Sequence, residues 1–577
     1  MTKITTKTTQ TQSASKLKLK SKSSSKLDHK IMMNTLVSRL SPPAIAHYDI
    51  SSESIEKIET PCLVLGFYSS NLNKNNHKKS YLFSLSADLE KLEEKAGDHY
   101  FSSLLSNAGI TDTLGQSLLI TEALYPEALK NKIKAKKLLL IHCGKSEGVN
   151  EHQFSKLFRT IADKLSNHQV TEAAFSGDLL NLNLATAYPN IDTQNLSRKA
   201  ILSILAISTE NYRFDLFKTS PVATATKKHI YLSKIYFCIE SKAKNKSEIQ
   251  AGIKTGQIMA QAMIQTRHLG NLPSNICTPD YLAQEALEIA KTHGKKVKLK
   301  IYSEAALAEL GMNCLLGVGK GSSQESHLIV LEYQGLDAKT PPHAIVGKGV
   351  TFDSGGLCIK PRQNMSDMKM DMCGAASVLS TFNAAVALNL KINLLAVVPT
   401  VENMPDGNAL QPGNILKSHQ GIYVEIVDTD AEGRLILSDA ISHATEFNPQ
   451  TILTTATLTG AIITALGHHR AGAFTNNQPL VDLLIQAGFE SNDLAWQLPL
   501  DELYQEQINS EVADIANLGK DNANSITAAA FLSRFVKNIP WVHLDIAGTA
   551  MLKGGATGRP TPLLIQYLIN LEKNNKK

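Results

Sequence analysis

An acidic run between a strand pattern and a helix pattern, at residues 422–447, limits the folds open to this chain more than any other feature. Asp428, Asp430, Glu432 and Arg434 place three carboxylates and a guanidinium within seven residues. The residues before the run alternate in hydrophobicity, which predicts a strand, and the apolar residues after it recur at helical spacing. A strand that leads through an acidic loop into a helix is typical of an α/β sheet, whose carboxyl edge binds ligands.

Buried carboxylates in this region need a positive partner, because bare charges are costly to remove from water. Asp353 follows a short apolar strand, and Asp371 lies in a small-residue stretch that we expect to open a buried helix. Together with Asp430 and Glu432 they are enough to hold two metal ions, which in two-metal hydrolytic sites lie roughly 3.5–4 Å apart. Oxygen ligands without His or thiolate favour Mn²⁺ or Mg²⁺, with Zn²⁺ as an alternative.

Each of these residues alone has an ordinary structural explanation. A single Asp353 or Asp430 is more often a helix cap or a turn residue. A single Lys348 is typical of a solvated surface, and Glu432 with Arg434 is typical of an ion pair at a helix start. The combination of these residues, and no single member of it, predicts the metal site.

At this point the sequence resembles the leucyl aminopeptidase family of di-metal exopeptidases, most closely its bacterial cytosolic members. The resemblance extends over roughly residues 50–575 and is dense from residue 252 onward. The matching segments are residues 269–275, 346–361, 368–376, 429–435, 456–460 and 543–548. The resemblance implies an α/β fold of two domains: a smaller N-terminal α/β domain and a larger C-terminal catalytic α/β domain with a mixed central sheet flanked by helices.

We expect four parts along the 577 residues, which are too many for one ordinary core. Residues 1–45 form a Lys-, Ser- and Thr-rich tail that should be disordered, because it has few apolar residues to bury. Residues 46–240 form the N-terminal domain, and residues 241–268 a polar linker with a bridging helix over 249–268. Residues 269–577 form the catalytic domain.

The resemblance also implies the site residues. Five residues match the metal ligands of the family, namely Lys348, Asp353, Asp371, Asp430 and Glu432. Among them Glu432 and Asp353 would bridge the two ions. Lys348 would coordinate as the neutral amine, since an ammonium has no lone pair.

Lys360 and Arg434 match the two catalytic positions of the family. Lys360 would stabilise the oxyanion of the tetrahedral intermediate. Arg434 would hold a bicarbonate ion that acts as the general base, and its fork of donors suits a planar oxyanion. In one departure from the family, Asp428 stands where relatives usually have Asn, which adds a negative charge near the metals without removing a ligand.

A pocket for the first side chain of the substrate follows from the same resemblance. Its predicted lining is Met368, Thr457, Leu458, Gly460 and Ala547. An apolar pocket favours leucine and methionine but discriminates by only about 1–3 kcal/mol per methylene, so broad specificity is expected. The chain is thereby predicted to be a metal-dependent aminopeptidase that acts on peptides with a free N-terminus, in a cytoplasmic homohexamer.

Two other functions stay open. Some bacterial relatives bind DNA at specific sites, but the net charge of +6 gives this little support: residues 1–30 hold eight lysines and one aspartate, so the rest of the chain is close to −1. A di-metal hydrolase of another type would differ by not requiring a free amine. No run approaches about 18 apolar residues, which predicts no membrane span. Seven scattered cysteines indicate reduced thiols.

Overall fold

The structure is a computed structural model that describes residues 40–69, 83–97, 99–186, 188–189, 191–218, 231–240 and 243–574. The described residues of Ile45–Phe214 and Thr224–Lys577 form one compact unit. The predicted tail of residues 1–45 lies almost entirely outside the described residues, so its disorder stays a prediction. Within the described ranges, no helix combines the length and apolar content needed to cross a membrane.

A mixed sheet flanked by helices forms the first half of this unit. The strands of this half are β1 (His47–Ser51), β2 (Leu63–Ser69), β3 (Phe83–Leu85), β4 (Ser117–Thr121), β5 (Lys137–Lys145), β6 (Val149–Asn150), β7 (Glu172–Ser176), β8 (Leu184–Ala185) and β9 (Lys234–Cys238). Strands β6 and β8 pair only with each other, outside the mixed sheet. The helices of this half are α1 (Ala87–Ala96), α2 (Tyr100–Asn107), α3 (Glu151–Asn167) and α4 (Leu196–Asn211), with short 3₁₀ helices at Glu122–Leu124 and Gly177–Leu179.

Strands β1, β9, β7, β2, β5 and β4 lie side by side in that order, and β3 pairs with β2. The first five of these run parallel to one another, whereas β4 is antiparallel to β5 and β3 to β2. Leu63, Val64 and Leu65 are fully buried in β2. A continuous apolar run is what a parallel strand covered on both faces requires.

A long helix, α5 (Lys246–Asn271), leads from this sheet to the second one. We predicted a helix over residues 249–268, and the observed helix extends that range by three residues at each end. It packs against α4 and against a helix of the second half, Cys373–Ala387.

The second half contains the larger sheet. The strands of this half are β10 (Val297–Tyr302), β11 (His327–Gln334), β12 (His343–Gly347), β13 (Gly349–Asp353), β14 (Asn393–Asn403), β15 (Ile415–Lys417), β16 (Tyr423–Glu425), β17 (Thr451–Ala456), β18 (Ala471–Thr475), β19 (Ala495–Gln497), β20 (Ile515–Ala516), β21 (Trp541–Asp545), β22 (Met551–Leu552) and β23 (Gly555–Ala556). Five of them lie outside the larger sheet: β15, β16 and β20 form a three-stranded sheet, and β22 pairs with β23. The helices of this half are α6 (Pro279–His293), α7 (Glu304–Glu309), α8 (Asn313–Gly319), α9 (Cys373–Ala387), α10 (Glu432–Thr445), α11 (Ala461–Leu466), α12 (Gln478–Ser491), α13 (Glu502–Glu506), α14 (Asn524–Ser533), α15 (Ala547–Ala550) and α16 (Thr561–Asn574), with 3₁₀ helices at Gly294–Lys296 and Met365–Met370.

The order of the main sheet is β10-β11-β14-β12-β17-β21-β18-β19, with β13 beside β14. Strands β14, β12, β17 and β21 run parallel in its centre. Strands β10 and β11 pair antiparallel, as do β11 and β14, and β18 is antiparallel to β21 but parallel to β19. The prediction of a mixed central sheet in a two-part α/β fold is therefore confirmed. Parallel central strands place their carboxyl ends at one edge, where open α/β sheets bind ligands.

The strand before the acidic run is shorter than predicted and belongs to another sheet. We predicted a strand over residues 422–427, but β16 covers Tyr423–Glu425 and lies between β15 and β20 in a separate three-stranded sheet. The inference that the acidic run follows a strand of the main sheet is therefore wrong. The loop reaches that sheet through Thr429, whose hydroxyl donates to the carbonyl of Gly355 (2.6 Å) and accepts from the amide of Cys358 (2.8 Å).

A buried histidine on β21 gives a prediction for stability against pH. The ring of His543 stacks on Trp541 and is fully buried, and its Nε2 makes no hydrogen bond. Burial and then the charge of Arg434 lower the pKa of His543 to about 3. The unfolded chain takes up a proton near pH 6.5, whereas the folded chain does not, so stability is complete above pH 6.5 and is lost as the pH falls.

Because of His543, we expect the unfolding free energy of the wild type to fall by about 1.4 kcal/mol from pH 7.5 to pH 5.5. Denaturant titrations at the two pH values should give a smaller pH difference for His543→Gln. The control His152→Gln removes an exposed histidine of α3 and should keep the wild-type difference. Equal pH differences in all three proteins would contradict the assignment.

Candidate active site

The ends of the main-sheet strands bring several predicted residues together. Lys348 follows β12 directly, and Asp353 is the last residue of β13. Thr457 follows β17, which lies between β12 and β21. Side chains from these strand ends meet because parallel strands finish at the same edge.

Two further segments complete this edge. The 3₁₀ helix Met365–Met370 ends directly before Asp371, and α9 begins two residues after that aspartate. The small-residue stretch that we expected to open a buried helix does so from Cys373, and Asp371 lies in the turn before that helix. The loop after β16 carries Asp430, and Glu432 is the first residue of α10.

One cavity of about 500 Å³ gathers all the residues that the sequence predicted. The predicted residues in its lining are Lys348, Asp353, Asp371, Asp430 and Glu432, the pair Lys360 and Arg434, and the pocket group Met368, Thr457, Leu458, Gly460 and Ala547. The structure therefore brings together residues that lie up to 199 positions apart in sequence. Their individual roles stay predictions.

The ammonium of Lys348 lies between two buried carboxylates. Its Nζ is 2.8 Å from Oδ2 of Asp371 and 2.7 Å from Oε1 of Glu432, and it donates to the carbonyl of Thr457 (2.9 Å). Burial alone would lower the pKa of Lys348, but the charges of Asp371, Glu432 and Asp353 outweigh it and raise that pKa above the ordinary value. The amine is therefore protonated here, and the neutral form that its predicted role needs requires additional positive charge at the carboxylates.

A second ammonium, that of Lys360, joins two other acids. Its Nζ is 2.7 Å from Oδ2 of Asp353 and 2.5 Å from Oδ1 of Asp430. The other oxygen of Asp353 accepts a hydrogen bond from the side-chain amide of Asn403 (2.8 Å). Burial and the charge of Asp353 raise the pKa of Asp430 to about 7. Crowded like charges at low solvent exposure thus make this group of acids difficult to ionise fully.

The carboxylate oxygens lie close enough together to bind a common cation. Ligand oxygens of Asp353, Asp371 and Glu432 all lie within 4.8 Å of one another. Oδ2 of Asp371, Oδ1 of Asp430 and Oε1 of Glu432 are buried and make no aligned hydrogen bond, although a lysine Nζ lies within 2.8 Å of each. These oxygens keep lone pairs free, and hard oxygen donors of this kind fit divalent cations.

The acids differ in how their neighbours act on them. Burial raises the pKa of Asp371, and the negative charge of Glu432 adds to this. Burial and the charge of Glu432 likewise raise the pKa of Asp353. Burial acts against ionisation of Glu432 too, but Lys348 and Lys360 together lower its pKa below the ordinary value. Glu432 is therefore the carboxylate that the two lysines hold most firmly in its charged form.

Arg434 follows Glu432 by two residues in α10, is buried and lines the same cavity. Its Nη1 donates to the carbonyl of Asn517 (2.8 Å), whereas its Nε is buried without a hydrogen-bond partner. Burial lowers the pKa of Arg434 to about 10, against the charges of Glu432 and Asp428. A guanidinium with an unused donor beside a cavity can hold a planar anion.

Three positioning residues were missed by the sequence reasoning. Asn403 ends β14 and donates to Asp353, as described above. Asn517 accepts from the amides of Val427 and Asp428 (2.7 and 3.2 Å) and so holds the acidic loop. Asp545 ends β21 and accepts from the amide of Leu458 (3.2 Å). A polar residue at the end of an apolar strand is a signal that could have found Asn403 and Asp545.

A glycine next to Glu432 gives a test of how tightly Lys348 is placed. A Cβ added at Gly433 would lie 2.7–2.8 Å from Cδ, Cε and Nζ of Lys348, whose end is fixed by three polar contacts. We expect Gly433→Ala to displace this amine and to lower catalytic efficiency by about 10²-fold, since small misplacements have effects of that size. The substitution should not lower the stability of α10, because Ala is a better helix former than Gly.

The matched control is Gly407→Ala, where an added Cβ meets nothing within 4 Å. Steady-state kinetics and thermal unfolding of both variants make the comparison. Wild-type kinetics in a folded Gly433→Ala protein would show that Lys348 tolerates displacement.

An α/β fold with buried acids and lysines at the carboxyl edge of its sheet defines a member of the large class of α/β enzymes. Comparison with known proteins narrows this class. Residues 264–565 match the catalytic domain of the cytosol aminopeptidase family, and residues 64–221 match the N-terminal domain of the same family. The chain belongs to the cytosol aminopeptidase family and is a peptidase.

Curated relatives are similar in sequence to this chain over most of its length. A probable cytosol aminopeptidase of Pseudomonas syringae pv. syringae is 44% identical over 473 residues, which are 81% of this chain and 90% of the relative. The cytosol aminopeptidase of Pseudomonas aeruginosa PAO1 is 41% identical over 494 residues, which are 85% of this chain and 94% of that protein. The predicted family resemblance is confirmed.

Solved structures share the fold. A mutant of tomato leucine aminopeptidase aligns with a TM-score of 0.76 and 27% identity over 92% of this chain and 97% of its own. The bottromycin maturation enzyme BotP in complex with Mn aligns with a TM-score of 0.71 and 26% identity, covering 89% of this chain and all of its own.

Proposed function

We propose that this peptidase is a metal-dependent aminopeptidase that removes N-terminal residues, preferably leucine, from peptides. One observation carries the proposal: the three carboxylates with oxygens within 4.8 Å of one another share a 500 Å³ cavity with a predicted apolar side-chain pocket. The aminopeptidase names of the relatives and of the tomato structure support the activity.

The proposed ligands of two divalent cations are Lys348, Asp353, Asp371, Asp430 and Glu432. When bound, two such cations supply an acidified water nucleophile, polarise the scissile carbonyl and offer a ligand position to a free α-amine. Mn²⁺ is the ion we propose, with Zn²⁺ and Mg²⁺ as alternatives. The similarity to BotP, whose structure was solved in complex with Mn, supports this choice.

The chain's own groups handle the charges that develop during hydrolysis. Lys360 carries a positive charge at the cavity wall, where it can stabilise negative charge on the former carbonyl oxygen. Arg434 has an unused donor that can hold a planar anion such as bicarbonate, whose free oxygen would accept the proton of the attacking water. Asp428 lines the same cavity and accepts from the amide of Asp430 (2.8 Å), so its negative charge adds to that of the site.

The side-chain pocket combines three apolar residues with two small or polar ones. Met368, Leu458 and Ala547 are apolar, Gly460 leaves open space and Thr457 gives the pocket a hydroxyl, but this hydroxyl is already engaged by Oδ1 of Asp371 at 2.7 Å. A pocket without a free polar group selects by shape and hydrophobicity alone. We therefore propose leucine preference with broad tolerance.

Hydrolysis of leucine p-nitroanilide tests the activity. We expect turnover that a strong chelator abolishes and added Mn²⁺ restores, and no turnover of the N-acetylated substrate, because a blocked amine loses its binding position. Turnover that survives chelation would contradict metal dependence, and equal hydrolysis of the acetylated substrate would identify a hydrolase of another type.

We extend the proposal to peptide turnover by a cytoplasmic homohexamer. The word cytosol in the names of the relatives supports the location. Light scattering should give a mass six times the 62.8 kDa of the chain. Nothing in the described part of the chain favours the site-specific DNA-binding alternative, which stays a prediction.

A further inference from the structure

A second group of potential metal ligands lies at the opposite end of α10 from Glu432. His443 is near the carboxyl end of that helix, Glu446 follows its last residue, and His419 lies in the turn between β15 and β16. A ligand atom from each of these three residues lies within 4.8 Å of the other two. His443 follows Glu432 by 11 residues in the helix, a rise of about 17 Å, so this group is separate from the cavity described above.

The distances between the potential ligand atoms resemble those around one ion. Nε2 of His419 is 3.4 Å from Oε1 of Glu446, and Nδ1 of His443 is 3.1 Å from Oε2 of the same carboxylate. Ligands about 2.0–2.1 Å from a tetrahedral Zn²⁺ lie about 3.3 Å from one another. Each imidazole therefore lies about that far from one oxygen of this carboxylate, and the three residues offer ligand atoms within 4.8 Å of one another.

Hydroxyl groups hold the other nitrogen of each ring. Nδ1 of His419 is 2.8 Å from Oγ of Ser442, and Nε2 of His443 is 3.4 Å from the hydroxyl of Tyr302. Protein groups that bond the distal nitrogen of a ligating histidine fix its tautomer and orientation. These contacts leave Nε2 of His419 and Nδ1 of His443, the two nitrogens that face Glu446.

The backbone under His419 is also fixed. Asp439 is fully buried in α10, and its carboxylate accepts from the amide of His419 at 2.8 Å and from that of Leu315 at 3.0 Å. The turn that carries His419 is therefore tied to the helix that carries His443. Preorganised side chains lower the cost of binding.

An ordinary ion pair between His443 and Glu446 explains the arrangement less well. His443 is 4% exposed, and its Nδ1 makes no aligned hydrogen bond although Oε2 of Glu446 is within 3.1 Å. A buried nitrogen aimed at a carboxylate without hydrogen-bond alignment suits a shared cation. The nearby charges of Lys300 and Lys537 act against a cation, and the half-exposed carboxylate of Glu446 offsets them.

We propose that His419, His443 and Glu446 bind one borderline transition-metal ion, of the class of Zn²⁺, Cu²⁺ and Ni²⁺. Two imidazoles and a carboxylate form a ligand set that Zn²⁺ accepts, with water in the fourth position. The bound ion ties the turn before β16 to the carboxyl end of α10. It thus braces the segment between them, which includes the acidic run.

Zinc content tests the proposal directly. Full-length protein is equilibrated with micromolar Zn²⁺, freed of excess by gel filtration and analysed for zinc per subunit by mass spectrometry. We expect His443→Phe, His419→Asn and Glu446→Gln each to hold one ion fewer than wild type. The control His152→Gln, which removes an exposed histidine, should hold the wild-type number.

Two further measurements separate this ion from ions in the active site. Glu432→Gln should keep the extra ion, because α10 separates the two groups, even if it loses its active-site metal. Cu²⁺ added at half an equivalent to the zinc-loaded protein should show the pulsed-EPR signal of a remote imidazole nitrogen, and His443→Phe should weaken it. The predicted active-site ligands include no histidine, so they cannot give that signal.

Binding should also be visible in stability. An ion that binds only the folded chain raises the melting temperature, so Zn²⁺ should raise it more in wild type than in Glu446→Gln. Equal zinc content in wild type and all three variants, or a copper signal of undiminished intensity in His443→Phe, would overturn the proposal.

Discussion

Replacing Glu432 by Gln should abolish peptide hydrolysis while leaving the fold intact. Glu432 is buried at the start of α10, and its Oε1 lies 2.7 Å from Nζ of Lys348. Gln keeps the shape of the side chain but loses the charge that the proposed cations need. We expect kcat for leucine p-nitroanilide to fall on the order of 10³-fold or more, as when one strong electrostatic contact to the reacting atoms is lost.

A folding defect has to be separated from a loss of chemistry in this experiment. The control Glu502→Gln alters an exposed glutamate at the start of α13 and should keep wild-type rates. Thermal unfolding and gel filtration should match wild type in both variants, whereas the metal content should fall in Glu432→Gln alone. A folded Glu432→Gln protein with normal turnover would rule out the proposed site.

The chemistry of this site was predictable because its residues are unusual where they occur. Asp353 and Asp371 are acids in apolar stretches, and such residues need a partner in any fold. Which residues these acids contact was harder to predict from the sequence. The contact of Lys348 with both Asp371 and Glu432 joins residues 23 and 84 positions away, which lie in the turn before α9 and at the start of α10. These contacts follow from the packing of both helices on β12, which no local pattern encodes.

The error at β16 has the same origin. The alternation over residues 422–427 is real, since Val424 and Ile426 are buried whereas Tyr423 and Val427 are exposed. Period-two burial identifies a strand but does not say which sheet it joins. Here β15 and β20 take β16 as a partner, and the acidic loop reaches the main sheet through side-chain hydrogen bonds.

The group of His419, His443 and Glu446 could not be predicted from spacing in the sequence. His443 and Glu446 are three residues apart, which fits a helix face, but His419 is 24 residues upstream in a turn. Neither spacing resembles the short motifs by which zinc sites are found in sequences. The buried Asp439, which bonds the backbone of that turn, brings the three together.

Lys360 offers a second strong test, because it should act on the transition state and not on the binding of substrate. Its Nζ is held by Asp353 and Asp430, and about a fifth of its side chain is exposed to the cavity. Lys360→Met removes the charge and keeps the length of the side chain. We expect kcat to fall about 10²–10³-fold with KM changed little, because the lost contact forms with the oxyanion only.

The metal content decides between this role and a structural one. Lys360→Met leaves Asp353 and Asp430 without their ammonium, so the proposed cations should bind at least as well as in wild type. Affinity for a tetrahedral leucine phosphonate should fall by a factor similar to that of kcat, whereas affinity for free leucine should stay near wild type. The exposed Lys320 provides the control Lys320→Met. A parallel loss of metal and activity in Lys360→Met would mean that the lysine holds the carboxylates in place, because stabilisation of the oxyanion does not require it to affect metal binding.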